Sequence, residues 1–119
     1  MELPILYSLT YPGRTADMVA RRFSPLDAAS LTFEAVRHRV FPALELGIAA
    51  GRAGGTTPAA YNAANEVAVA AFLDRRIPFG RISAVIEQAL SRHEPGRADA
   101  LDAVRAADAA ARAHAAEAI

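Results

Sequence analysis

The chain contains no cysteine and no lysine. Without cysteine there is no disulfide, no thiolate nucleophile and no cysteine-based zinc site, which suits a reducing compartment. Without lysine there is no Schiff-base lysine, no P-loop lysine and no lysine general base within these residues. All thirteen basic residues are therefore Arg, and thirteen acidic residues balance them to a formal net charge of zero. The two signs are interspersed, so no basic stripe offers itself to nucleic acid. Long apolar runs are also missing. The longest strictly apolar stretch, Val67 to Leu73, falls far short of the roughly 20 residues that cross a bilayer. Met1 is followed at once by Glu2 and Pro4, not by the basic stretch and apolar block of a signal peptide. The expectation is a soluble protein.

A length of 119 residues fits one domain able to bury roughly two-thirds of its unfolded surface. The first third is heavily punctuated. Residues 3 to 11 suit a short apolar helix or strand, ended by Tyr11-Pro12-Gly13, since Pro lacks a donor and Gly permits turning. Thr15 suits the N-cap of a short helix through Arg22, with Asp17 and Arg21 at the favourable i, i+4 spacing. Ser24-Pro25 breaks that helix, and Leu31, Phe33 and Ala35 alternate with Thr32 and Glu34 in the period of a strand.

From Phe41 onward the pattern becomes helical with short turns. Pro42 suits a first helical position, and its helix should stop at Gly54-Gly55. Thr57 is expected to cap the next helix, with Pro58 in its first turn and an end near Arg76. Ile82, Val85, Ile86, Ala89 and Leu90 follow the spacing of an amphipathic stripe. A last helix is expected from about Ala98, with an Asp108–Arg112 pair and an alanine-rich end that frays towards Ile119. The fold class is thus mainly α: a four-helix C-terminal bundle preceded by an extended linker arm with little or no strand.

Asn62, Asn65 and Glu66 lie on one side of the Thr57 helix, and that side continues into the apolar Val69 and Leu73. A solvent-facing stripe would be expected to stay polar. The helix is therefore expected to be surrounded by protein, with this structural polar cluster finding internal partners on the backbone of residues 23 to 41. A metal or acid/base site built from Glu66 and a histidine would need further converging ligands, and no HExxH or comparable spacing occurs. His38, His93 and His114 show no carboxylate or hydroxyl partner in a catalytic order, which favours surface or capping roles. Arg75-Arg76 is accounted for by the dipole at a helix C-terminus. Gly54-Gly55-Thr56-Thr57 could cradle a phosphate on free backbone donors, but a turn and cap is the favoured reading without a preceding strand or a lysine. The Asp27 and Glu34 carboxylates are isolated and suit turn or arm hydrogen bonding.

In collinear order, Met1-Glu2-Leu3-Pro4-Ile5, SLTYPGR, LTFE, FPALELG, GGTTPAAYNAANEVAVAAFLDRRIPF and ADAAAR resemble the C-terminal portion of the 1-deoxy-D-xylulose 5-phosphate reductoisomerases. NAANEVAVAAFL is the long and specific part of the match. The resemblance implies an enzyme of the non-mevalonate isoprenoid route, a cytoplasmic or plastid NADPH-dependent oxidoreductase that isomerises and reduces its substrate to 2-C-methyl-D-erythritol 4-phosphate. It implies Mg²⁺ or Mn²⁺ as the metal, upstream NADPH-binding and catalytic domains on the same polypeptide, and a homodimeric parent. On that basis residues 1 to 22 are the end of the central catalytic domain, 23 to 41 the extended linker and 42 to 119 the C-terminal helical domain. The resemblance places no catalytic residue and no metal ligand in this chain, and only Met1 matches a position near the nicotinamide. It assigns Asn62, Asn65 and Glu66 to the framework. The chain departs from the family pattern at Val36-Arg37-His38-Arg39-Val40 and at Gly13.

Two other readings carry different expectations. A free-standing helical interaction module should expose an apolar surface, and a helical DNA-binding module is disfavoured by the zero net charge. Neither nucleic acid nor a membrane is expected as a partner.

Overall fold

A computed structural model describes residues 2–15, 24–26 and 30–119. Met1, Asp27 and most of the helix expected from Thr15, with its Asp17–Arg21 pair, lie outside the described residues. The chain divides into two compact units, Met1–Ala35 and Val36–Ile119.

In the first unit, α1 spans Glu2–Thr10, resolving the choice between helix and strand. Its Ser8 and Thr10 hydroxyls donate back to the carbonyls of Pro4 and Leu6, a local bonding pattern that helices tolerate. Tyr7 meets Tyr11 edge to face at 5.8 Å, and the Arg14 guanidinium lies 4.9 Å from the Tyr7 ring centre. No strand forms among the described residues. Leu31 and Phe33 are both exposed, and an alternating segment becomes a strand only when a partner covers one of its faces.

The second unit contains α2 (Pro42–Ala53), α3 (Thr57–Leu73), α4 (Arg81–Ser91) and α5 (Leu101–Glu117). α3 is central, packing against α5, α4 and α2, while α4 also touches α5 and α2. The sequence explains this centrality through alanine. Ala60, Ala63, Ala64, Ala68 and Ala71 of α3 are fully buried, as are Ala111 and Ala115 of α5 or very nearly so. Side chains this small let helix axes approach closely, and helix spacing follows the residues at the contact. The only large side chains completely buried among the described residues are Val85 and Ile86 of α4, both from the amphipathic stripe. Leu46, Tyr61, Phe72 and Ile82 close the core at its edges.

Three helix limits differ from expectation. Thr57 is the first residue of α3 and not its cap, and its hydroxyl is buried without a partner among the described residues. α3 stops at Leu73 because Arg75 adopts a positive φ of 59°. The Arg76 N–H then bonds the Ala71 carbonyl at 2.8 Å and the Arg75 N–H bonds Phe72 at 2.9 Å, a Schellman ending on a non-glycine residue. α5 starts at Leu101, after an extended Ala100, and its packing persists into its last turns. Its buried residues lie in its second half, Arg92 pairs with Glu117 at 2.6 Å, and Arg81 donates to the Ala118 carbonyl at 3.0 Å.

Candidate functional site

The polar cluster on α3 has a partner helix. Asn62 donates through its side-chain amide to Glu66 Oε1 at 2.9 Å, one helical turn apart. Glu66 Oε2 accepts from Arg112 of α5 at 2.7 Å. Arg112 also grips Asp108 through two contacts, at 2.8 and 3.2 Å. Four side chains thus bind α3 to α5 across their outer edge. The hydrogen bond from Arg112, reinforced by that from Asn62, holds the Glu66 carboxyl below its ordinary value of 4.5. Asp108 and then Glu66 raise the Arg112 guanidinium above its own ordinary range.

The expected burial of this cluster is corrected. Asn62 and Glu66 are exposed and Asn65 is half-buried. The apolar continuation that suggested burial ends at Leu73, itself 71% exposed, and a lone exposed Leu says little about what covers a helix face. The partners seen for Asn62 and Glu66 are each other and Arg112 of α5. Asn65 turns away from the pair and lines a groove with Arg39, Phe41, Val69, Phe79 and Ile82.

The glycine turn ahead of α3 has three of its backbone donors, on Gly54, Thr56 and Thr57, bonded to carbonyls. Gly54 and Gly55 hold φ values of 66° and 55°, a region open to glycine at no steric cost. The Thr56 N–H donates to the Gly96 carbonyl at 2.9 Å and the Thr57 N–H to Gly54 at 3.1 Å. In return, the Gly96 N–H donates to Thr56 Oγ1 at 3.0 Å. Thr56 thus clasps the α4–α5 loop to the α2–α3 turn through both its N–H and its hydroxyl. A Cβ at Gly55 would run into the Gly96 carbonyl oxygen.

Two histidines gain partners that local spacing concealed. His93 Nε2 lies 3.2 Å from Thr56 Oγ1, 37 positions away in sequence, and His38 pairs with Glu45 on α2. No carboxylate backs His93 among the described residues, so the pair lacks the orienting third member of a hydrolytic triad. His114 Nδ1 is buried without a partner among the described residues. Among those residues no three His, Asp or Glu side chains converge to hold a metal ion, and no helix is long and apolar enough to cross a membrane.

Residues 1–114 match the family model described as the DXP reductoisomerase C-terminal domain. A 1-deoxy-D-xylulose 5-phosphate reductoisomerase from Ralstonia pickettii is 53% identical over 112 residues, covering 94% of this chain and 28% of its own length. One from Listeria innocua is 42% identical over 114 residues, covering 96% of this chain and 30% of its own. The solved reductoisomerase from Zymomonas mobilis, in complex with NADPH, superposes with a TM-score of 0.75 at 38% identity, over 97% of this chain and 30% of that one. The chain spans under a third of the length of these relatives.

Proposed function

The chain belongs to the DXP reductoisomerase family, matching its C-terminal domain, and from that membership we propose that it is the helical, non-catalytic end of a 1-deoxy-D-xylulose 5-phosphate reductoisomerase. The whole enzyme isomerises and reduces 1-deoxy-D-xylulose 5-phosphate to 2-C-methyl-D-erythritol 4-phosphate with NADPH and Mg²⁺ or Mn²⁺, as a cytoplasmic homodimer. The upstream NADPH-binding and catalytic domains carry the chemistry. Residues 1 to 22 close the catalytic domain, 23 to 41 link, and 42 to 119 form the helical domain.

The observation that carries this reading is a match along residues 1–114 that accounts for only 28% to 30% of each relative. Among the described residues no metal-ligating cluster gathers, and the Gly54, Thr56 and Thr57 N–H groups of the glycine turn already donate to backbone carbonyls. The Asn62, Glu66, Arg112 and Asp108 group, with Asn65 beside it, serves as framework, because its charges are spent on one another. Met1, the one position the resemblance places near the nicotinamide, lies outside the described residues and is proposed as a minor contact.

Intact mass spectrometry of the protein as its source organism makes it is the test. A mass several times 12.6 kDa is expected. A mass of 12.6 kDa would overturn the reading in favour of a free-standing helical interaction module.

A further inference from the structure

The inner side of α2 is well occupied. Leu46 packs on the core, Ala50 is buried, a Cβ at Gly47 would meet the Tyr61 ring, and the Tyr61 hydroxyl donates to the Ala43 carbonyl at 3.0 Å. Its outer side carries an apolar stripe that begins at the N-cap Phe41 and runs beside the exposed Glu45, the partner of His38. Phe41, Leu44 and Ile48 stand at i, i+3 and i+7, with 46%, 44% and 39% of their surface in water. The stripe runs into the groove beneath Asn65, which encloses about 410 Å³ and shares Phe41 with it. Val40 and Phe79, at 58% and 66% exposure, stand on the groove's rim. Contiguous apolar surface of this kind marks an interaction site. Arg37, stacked 5.8 Å over Phe41, and Arg39 lie beside the patch and meet no carboxylate among the described residues.

We propose that this face of α2, with the groove beneath Asn65, is the seat on which the upstream catalytic portion of the same polypeptide docks, presenting an apolar ridge edged by carboxylates. The proposal rests on the functional reading above. Over two thirds of each relative lies outside the match, so wherever this fold occurs in them it has a large covalent neighbour at high effective concentration. Such a neighbour can hold a half-apolar face of this size without the affinity a separate partner would need. The Arg37 and Arg39 edge sets the sign of the opposing rim, and charge complementarity of that kind fixes register more than affinity.

The absence of cysteine makes the test clean. Leu44→Cys, Ile48→Cys and, as a control on the exposed side of α4, Gln88→Cys are prepared in the 119-residue chain. They are also prepared in the same chain grafted onto the Ralstonia pickettii reductoisomerase in place of its matching segment. The rate of iodoacetamide labelling at each thiol is read by peptide mass spectrometry, and turnover of each graft is read on the same sample. The proposal expects labelling at positions 44 and 48 to slow at least tenfold in the graft, with position 88 unchanged. Equal rates would overturn it, and so would a graft that does not fold. Protection that already rises with concentration in the isolated chain would name a second copy as the occupant and overturn it too. An active graft with an open face sinks only the docking surface; a protected face without turnover sinks only the functional reading.

Discussion

Backbone conformation at single residues accounts for several features that side-chain pattern did not announce. Arg75 carries a left-handed conformation that favours glycine, so Arg75→Gly should raise stability by about 0.5–1 kcal/mol in urea unfolding. Gly55→Ala should do the reverse, because the new Cβ meets the Gly96 carbonyl at an already unfavourable φ. A loss of about 1–3 kcal/mol is expected by the same measurement. Glu66 offers a test by pH. Its carboxyl is held below 4.5 in the folded chain, so its contribution is present above the unfolded value and is lost as pH falls through the folded one. The Tm deficit of Glu66→Gln at pH 7 should therefore shrink as pH falls below 4.5 and vanish once the carboxyl is protonated in the folded chain too, and at pH 7 it should diminish with added salt. The two-fold role of Thr56 was illegible in sequence. A hydroxyl bonded across 40 positions to Gly96 and 37 to His93 leaves no local spacing to detect, and Thr57 beside it offers the same side chain to any capping rule.

Helices were more legible than their ends. The α4 stripe of Ile82, Val85, Ile86 and Ala89 placed the correct face inward, because helical periodicity reports burial directly when one side is polar. Ile86 is fully buried, and Ile86→Ala should cost about 2–5 kcal/mol, read from the chemical denaturation midpoint. α3 was harder. It is apolar on nearly every side, so periodicity cannot tell its covered face from its open one, and the Asn62–Glu66 edge looks interior in sequence although it is exposed. What resolves it is Arg112, on a different helix. The end of α5 was misjudged for a related reason. Large apolar groups are usually what hold a terminal helix, yet Ala111 and Ala115 are buried there because their opposite numbers on α3 are alanines as well.

At the scale of the whole molecule, the collinear motifs identified the family, and the match to its C-terminal domain over residues 1–114 shows that membership. The four helices of the second unit followed from turn residues together with the apolar stripe of α4. The outer face of α2 did not, since the large apolar groups Phe41, Leu44 and Ile48 carry no mark in sequence of their exposure. If the chemistry resides upstream, isothermal calorimetry of the isolated chain with NADPH and Mg²⁺ should give no saturable heat, and a micromolar Kd would place nucleotide contacts among these residues. The alanine interior between α3 and α5 also changes how this protein should meet mutation. In an ordinary core the damaging exchanges remove carbon and leave holes, but a methyl has little left to remove. Here the damaging exchanges add carbon: Val or Leu at Ala60 or Ala63, which cluster with Ala111 of α5, must wedge two helices apart, and overpacking of that kind costs about 1–3 kcal/mol. The seam is a tolerance limit on size, and random variation along it should be purged for being too large.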